Sequence, residues 1–433
     1  SRLLKGTSGK RLCEPKCSHV MKLSWLVQAA IQFFCGTNAL MMPEEAAQQT
    51  RVFMSTASSS VWGTDAQAVQ GSLALLANTL VKYQAVAIYA SPGDVAYMRS
   101  QLNSSVEIIE FQVDDLWMRD TSCIFAYTEC DNYTDCVEMY GEPVKHAWPS
   151  AALSCVDFNF NGWGNKQSHA NDAKVAAHVA GWSGAPYVKS TLVMEGGSVE
   201  VDGEGTAIIT RSSVINSNRN PGWTEAMVEA ELYRTLGIEK VIWTEGIIGK
   251  DITDAHIDFY ARFTSPGVVV AAREMDDSIY DYAVTRQVIA DLQAATDARG
   301  RTLTVHILDN PQTLRPEWSS ANAAGFAASY INYYVGNNVV VSQNFGDSTT
   351  DSAALAKLQE LYPGRTVESL NVDPIAFGGG GIHCSTQQQP VGTLPTTSTT
   401  SSTMGSGGFS GGRTAVFATE IAGMLLLISI LAR

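Results

Sequence analysis

Gly267-Val268-Val269-Val270-Ala271-Ala272, followed by a helical segment near Tyr280 to Ala298 and a strand at Thr302 to Ile307, is the stretch that sets the fold. A continuous β-branched run reads as a strand buried on both faces, and the amphipathic helix after it returns the chain to start a neighbouring strand. The same order recurs on either side of this copy. Asn338-Val339-Val340-Val341-Ser342 precedes a helix at Asp351 to Tyr362 and strands at Thr366-Val367 and Ile375-Ala376. Thr206-Ala207-Ile208-Ile209-Thr210 precedes a helix from Thr224 to Leu236 and the strand Lys240-Val241-Ile242-Trp243. Ala85-Val86-Ala87-Ile88-Tyr89-Ala90 leads to a helical Asp94 to Leu102 and a strand at Val106 to Phe111, with an incomplete copy at Arg51 to Tyr89. About five similar units predict an α/β protein built by radial repetition. An ordinary open α/β sheet has the same periodicity.

The 433 residues are 45% hydrophobic, enough for a large core, and 43 acids against 29 bases give a net charge of −14. So acidic a surface repels nucleic acid and suits small cationic ligands or none, with solubility alone as the other reading of the charge. Residues 1–20 show no period. Met21-Lys22 and the apolar run Leu23 to Cys35 read as a signal peptide over 21–38, with a buried amphipathic helix as the other reading. Residues 391–414 have the Ser/Thr/Gly composition of a stalk, and 415–433 form an apolar tail. Together they resemble a GPI-anchor signal, with a single membrane-spanning helix as the alternative because of Glu420 and Arg433. Either reading puts a catalytic domain at 39–390 on the cell surface, secreted and anchored to the membrane at its C-terminus. Cys123, Cys130, Cys136 and Cys155 are expected to form two disulfides of open connectivity and leave Cys384 free. Their spacings match no common zinc pattern. Asn103 and Asn132 head glycosylation sequons.

The chemistry concentrates in a few motifs. Gly378-Gly379-Gly380-Gly381-Ile382-His383-Cys384 removes every Cβ where the backbone meets something closely, and it ends on a lone thiol. Trp117-Met118-Arg119-Asp120, Asn161-Gly162-Trp163-Gly164, Glu195-Gly196-Gly197-Ser198, Asn218-Arg219-Asn220-Pro221 and Asp254-Ala255-His256-Ile257-Asp258 sit near the ends of apolar runs. His256 and Asp258, two apart on a strand, are expected to face one ligand. With Asp120 and Glu195 they bring three carboxylates toward one His and one Cys. A papain-like triad needs only one acid behind its histidine, whereas a guanidinium binds carboxylates through a fixed fork of N–H donors. His383, next to Cys384, points the other way and is expected to be structural.

Over roughly Met42 to Pro390 the chain resembles the agmatine deiminase and bacterial-type peptidylarginine deiminase family of the guanidino-modifying superfamily. The segments that carry the resemblance are WMRD at 117–120, FNFNGWG at 158–164, EGGSVEVDGEGT at 195–206, NRNP at 218–221, DAHID at 254–258, NFGD at 344–347 and GGGGIHCSTQQQP at 378–390. The resemblance implies a five-bladed ββαβ propeller of pseudo-fivefold repetition around a central site. It implies Cys384 as nucleophile, His256 as general acid and base, Asp120 and Asp258 as guanidinium clamps, and Glu195 as the acid supporting them. Trp117, Arg119, Asn220, Gly380 and Gly381 are expected at the substrate. The chain departs from the family pattern at Ala255, where Gly is usual, at Gly381, where Asn is usual, and at Ser122-Cys123, where Gly-Pro is common.

The implied reaction is hydrolysis of a guanidine to a ureido product and ammonia through a covalent adduct on Cys384, with no metal or organic cofactor. Agmatine, giving N-carbamoylputrescine, is the expected substrate. Peptidyl arginine, giving citrulline, is the alternative. A catalytically silent surface binding module and a metal site using His256, Asp258, His383 and Cys384 are readings from other classes.

Overall fold

Val268–Arg273, the run that sets the fold, is a strand whose four central residues are buried. Its alternate side chains enter different cores: Val269 and Ala271 join Ile208, Val288 and Leu292, while Val270 and Ala272 join Val340, Leu358 and Tyr362. That two-sided burial is why the sequence is uniformly apolar here instead of alternating. The computed structural model describes residues 40–127, 153–322 and 325–392. Segments 1–20, 21–38 and 415–433, the stalk beyond residue 392, Cys130, Cys136 and the Asn132 sequon lie outside the described residues.

In chain order the strands are β1 (Gln49–Ser55), β2 (Ala85–Ala90), β3 (Glu107–Glu110), β4 (Ile124–Tyr127), β5 (Leu153–Asp157), β6 (Tyr187–Lys189), β7 (Val199–Val201), β8 (Thr206–Thr210), β9 (Lys240–Thr244), β10 (Ala261–Ser265), β11 (Val268–Arg273), β12 (Thr304–Asp309), β13 (Tyr334–Gly336), β14 (Val339–Gln343), β15 (Thr366–Leu370) and β16 (Thr386–Pro390). The main crossover helices are α1 (Ala66–Leu80), α2 (Val175–Ser183), α3 (Glu225–Leu236), α4 (Asp281–Ala294) and α5 (Ser348–Leu361). Among the described residues these strands form five small sheets, not one open sheet. Four of the sheets repeat one plan: an antiparallel pair, a crossover helix, then a strand parallel to the second. The fifth has the same plan across the ends of the chain. There β16 pairs antiparallel with β1, and β2 follows α1 parallel to β1, with β3 added at the edge.

Local signals place the helices. The Thr224 side chain accepts from the Met227 N–H to start α3, and Gly237, at φ 68°, ends it. Asp347 accepts from the Thr349 and Thr350 N–H groups to start α5. Two expectations need correction. Ile375-Ala376 belongs to a short helix, Asp373–Ala376, whose Pro374 suits a first turn. His256 and Asp258 are not on a strand: His256 precedes the 3-10 turn Ile257–Phe259, and β10 begins only at Ala261. Asp254 and Ala255 both have positive φ, 63° and 72°, so the chain turns sharply just before His256. That turn, rather than period-two alternation, directs the two side chains inward.

Candidate active site

Cys384 lies between the glycine run and β16, and it is the free cysteine among the described residues. The glycines are needed because tryptophan rings press against them: a Cβ on Gly378 would stand 2.0 Å from the Trp62 ring and one on Gly380 2.1 Å from the Trp117 ring. Both indole N–H groups donate to Asp115, at 2.7 Å and 3.1 Å, and this fixes the ring planes. Burial raises the pKa of that carboxyl. The Arg119 N–H donates to the Cys384 carbonyl at 3.0 Å, joining the cysteine turn to the short helix Met118–Thr121 that carries Asp120.

The predicted reacting groups converge. Asp120 accepts from the Trp163 indole at 2.9 Å and from the Gly197 N–H at 3.0 Å. A Cβ on Gly197 would stand 2.5 Å from His256 Nδ1 and 3.1 Å from both Asp120 Oδ1 and Asp258 Oδ2, so these three groups face one point. The Cys384 sulfur is 3.3 Å from Asp258 Oδ2. His256 Nδ1 and Asp258 Oδ1 are buried without a hydrogen-bond partner among the described residues. An N–H-rich cation matches the carboxylate oxygen, which can only accept.

The electrostatics separate the roles. Burial favours a neutral His256, but Asp120, Glu195 and Asp258 outweigh it and push its pKa up to about 9. His256 Nε2 is 3.2 Å from Glu195 Oε2, and Nδ1 is 3.8 Å from Asp120. Burial would raise the Glu195 pKa, yet Arg219, at 2.8 Å, and His256 hold it below the ordinary value. Asp258 is likewise lowered against burial, by His383 and then by His256 and Arg262. Burial, with the Asp258 and Asp120 charges, raises the Cys384 thiol well above its ordinary value. The site thus holds a cationic imidazole and a reluctant thiol, and a bound cation favours the thiolate.

Not every predicted residue reaches this point. Arg119 is buried behind it, donating to Glu45 at 2.9 Å and to the His383 carbonyl at 3.3 Å. Asn220 exchanges hydrogen bonds with the Val193 backbone and donates to the Val214 carbonyl, bracing the segment before Glu195. Trp117 and Gly380 form one wall together, and Gly381 packs against Asn332. His383 sits behind Asp258, bridging it at 2.8 Å to Glu45 at 2.8 Å. Glu45, Glu200 and His383 have ligating atoms close together, but Arg262 and Arg119 occupy these carboxylates, which makes an ion-pair cluster. Cys123 pairs with Cys155.

Sequence reading did not single out Glu45, Trp62, Asp115 or Asn332, and it gave Arg219 no role. Asn332 left one signal: a polar residue inside the aromatic run Tyr330-Ile331-Asn332-Tyr333-Tyr334, where burial demands a partner.

The profile of the Porphyromonas-type peptidyl-arginine deiminase family matches residues 41–390. A protein of Streptomyces coelicolor is 36% identical over 361 residues, covering 81% of this chain and 98% of its own. The agmatine deiminase of Pseudomonas fluorescens is 31% identical over 373 residues, covering 81% of this chain and 95% of its own. The structure of the agmatine deiminase of Enterococcus faecalis superposes with a TM-score of 0.72 at 25% identity, covering 82% of this chain and 98% of that one. With four-fifths of its length matched and its reacting groups gathered at one point, the chain belongs to the Porphyromonas-type peptidyl-arginine deiminase family.

Proposed function

We propose that the protein hydrolyses the guanidino group of agmatine to N-carbamoylputrescine and ammonia. The observation that carries this reading is the meeting of Asp120, Asp258 and His256 around the missing Cβ of Gly197, with the Cys384 sulfur against Asp258. The neighbouring cations are already paired: Arg119 with Glu45, and Arg219 and Lys166 with Asp254. A substrate carboxylate finds no spare partner in them, which favours an amine such as agmatine over free arginine.

The Cys384 thiolate attacks the guanidinium carbon, forming a C–S bond, while Asp120 and Asp258 hold the positive charge. His256, cationic below about 9, gives its proton to the departing nitrogen as the C–N bond breaks and ammonia leaves. The neutral imidazole then takes a proton from water as hydroxide adds to the thiouronium carbon. The C–S bond breaks with its electron pair returning to sulfur, and the ureido product departs after losing a proton. The same reading takes the five sheets as blades of one pseudo-fivefold ring, supported by their common plan. We also propose a cell-surface location, which the Cys123–Cys155 disulfide supports.

The test is to incubate the protein with agmatine, arginine and peptides bearing internal or C-terminal arginine, and to measure ureido product. Agmatine is expected to turn over, and Cys384→Ala to lose activity by several orders of magnitude while staying folded. Product from peptides alone replaces agmatine with peptidyl arginine. No product from any guanidine, with Cys384 unoxidised, leaves a binding module.

A further inference from the structure

Asn332 is fully buried, and its amide reaches the reacting sulfur. Its Nδ2 lies 3.2 Å from Cys384 Sγ, 3.1 Å from Asp258 Oδ2 and 3.3 Å from the Asp258 carbonyl. Its Oδ1 accepts from the His383 N–H at 3.0 Å and the Cys384 N–H at 3.4 Å. Two backbone donors at the oxygen end fix which way the amide faces, because the opposite orientation would set N–H against N–H. The donor end therefore points at sulfur. With two hydrogens, the amide serves Asp258 with one and the sulfur with the other.

The sulfur has one neutral partner in the Gly381 backbone and needs a second. Asp258 lies 3.3 Å away and Asp120 acts across the site, and both charges oppose a thiolate. The cation His256 is turned toward Asp120 and Glu195, and His383 lies behind Asp258 with both ring nitrogens on carboxylates. Asn332 supplies a donor to sulfur that carries no charge of its own, so it supports the anion without repelling a cationic substrate.

We propose that Asn332 is a catalytic residue: its amide N–H donates to the Cys384 sulfur and supports it as an anion before attack and again on expulsion. In the first step the sulfur's electron pair forms the C–S bond, and in the last that pair returns to sulfur. Asn332 moves no proton in either. The second half rests on the guanidine-hydrolase reading above, whereas the first concerns the thiol alone.

The experiment is the rate of Cys384 alkylation by iodoacetamide from pH 6 to 10, read by peptide mass in wild type, Asn332→Ala, Asn332→Leu and Asn332→Asp. Losing a hydrogen bond to a charged group is expected to slow alkylation at pH 8 by about tenfold or more and to displace the rising limb to higher pH. With agmatine, kcat falls while KM changes little, because Asp120 and Asp258 remain. Asn332→Asp keeps the acceptor for the His383 and Cys384 N–H groups but adds a charge that itself opposes the thiolate, so an unmoved limb in it overturns the proposal. The near-isosteric Asn332→Leu decides the matter if the alanine variant does not fold. A folded variant that alkylates with the wild-type rate and pH dependence overturns the proposal. A displaced alkylation limb in a protein that turns over no guanidine removes the proposed function and leaves the thiol assignment standing.

Discussion

His256 is a buried imidazole that three carboxylates keep charged, and this has a measurable pH signature. Its folded pKa, pushed up to about 9, lies above its ordinary value, so its contribution to stability is complete in mild acid and is lost as pH rises through about 9. Glu200 and Asp172, both pushed up to about 8 mainly by burial, act in the same sense with pH: their cost grows as pH rises from their ordinary values to about 8. A His256→Gln variant isolates the histidine. Thermal midpoints from pH 7 to 10 are expected to fall more steeply in wild type than in the variant, and parallel curves would sink the charged-imidazole picture. The residue scale also shows what sequence could reveal. Cys384, His256, Asp120 and Asp258 stand in motifs whose residue types announce chemistry, and the structure brings all four together. Glu45 acts through Arg119, Arg262 and His383, far away in sequence, and leaves no local period to read. Arg119 was misplaced because a cation beside an acid looks like a ligand contact, whereas burial and Glu45 make it a brace.

At the scale of elements, a strand was legible where its own sequence is a continuous β-branched or apolar run, not wherever it is buried: β16 is buried throughout and reads as polar. The central strands β8, β11 and β14 are buried along nearly their whole length and were found within a residue or two. Their half-exposed neighbours β12 and β15 keep fewer apolar positions, and their ends stand up to about two to three residues from the expected ones, against at most about one for the central three. The turn at Asp254 and Ala255 was invisible because an alanine at φ 72° contradicts its own preference. The Cys123–Cys155 disulfide ties the start of β4 to β5 across 32 residues of chain. Closing a loop of that size stabilises by about 3 to 4 kcal/mol on the chain-entropy estimate. Replacing both cysteines by alanine is expected to lower the urea midpoint accordingly, with a smaller effect on turnover, since neither sulfur touches the site. Free thiols at 123 and 155 in protein recovered from its native cells would overturn the cell-surface proposal.

For the whole molecule, the recurring unit was readable in sequence, but its closure was not. Nothing in Gln387-Gln388-Gln389 predicts a strand by propensity; its partner β1, some 330 residues earlier, makes it one. The Val391 N–H donates to the Gln48 carbonyl, completing that junction. Pairing across so long a loop is entropically slow, so this junction is expected to form late in folding. A chain ending at Ser385 is expected to be inactive toward agmatine, and a synthetic 386–392 peptide added in trans to restore part of the turnover; full activity without the peptide would contradict this. Cys384 stands two residues before that closing strand. During synthesis the thiol therefore leaves the ribosome after every other group of the site and gains its clamps only when the last strand docks. A half-made chain thus carries the acids and the histidine but no nucleophile, so its chemistry waits for the junction.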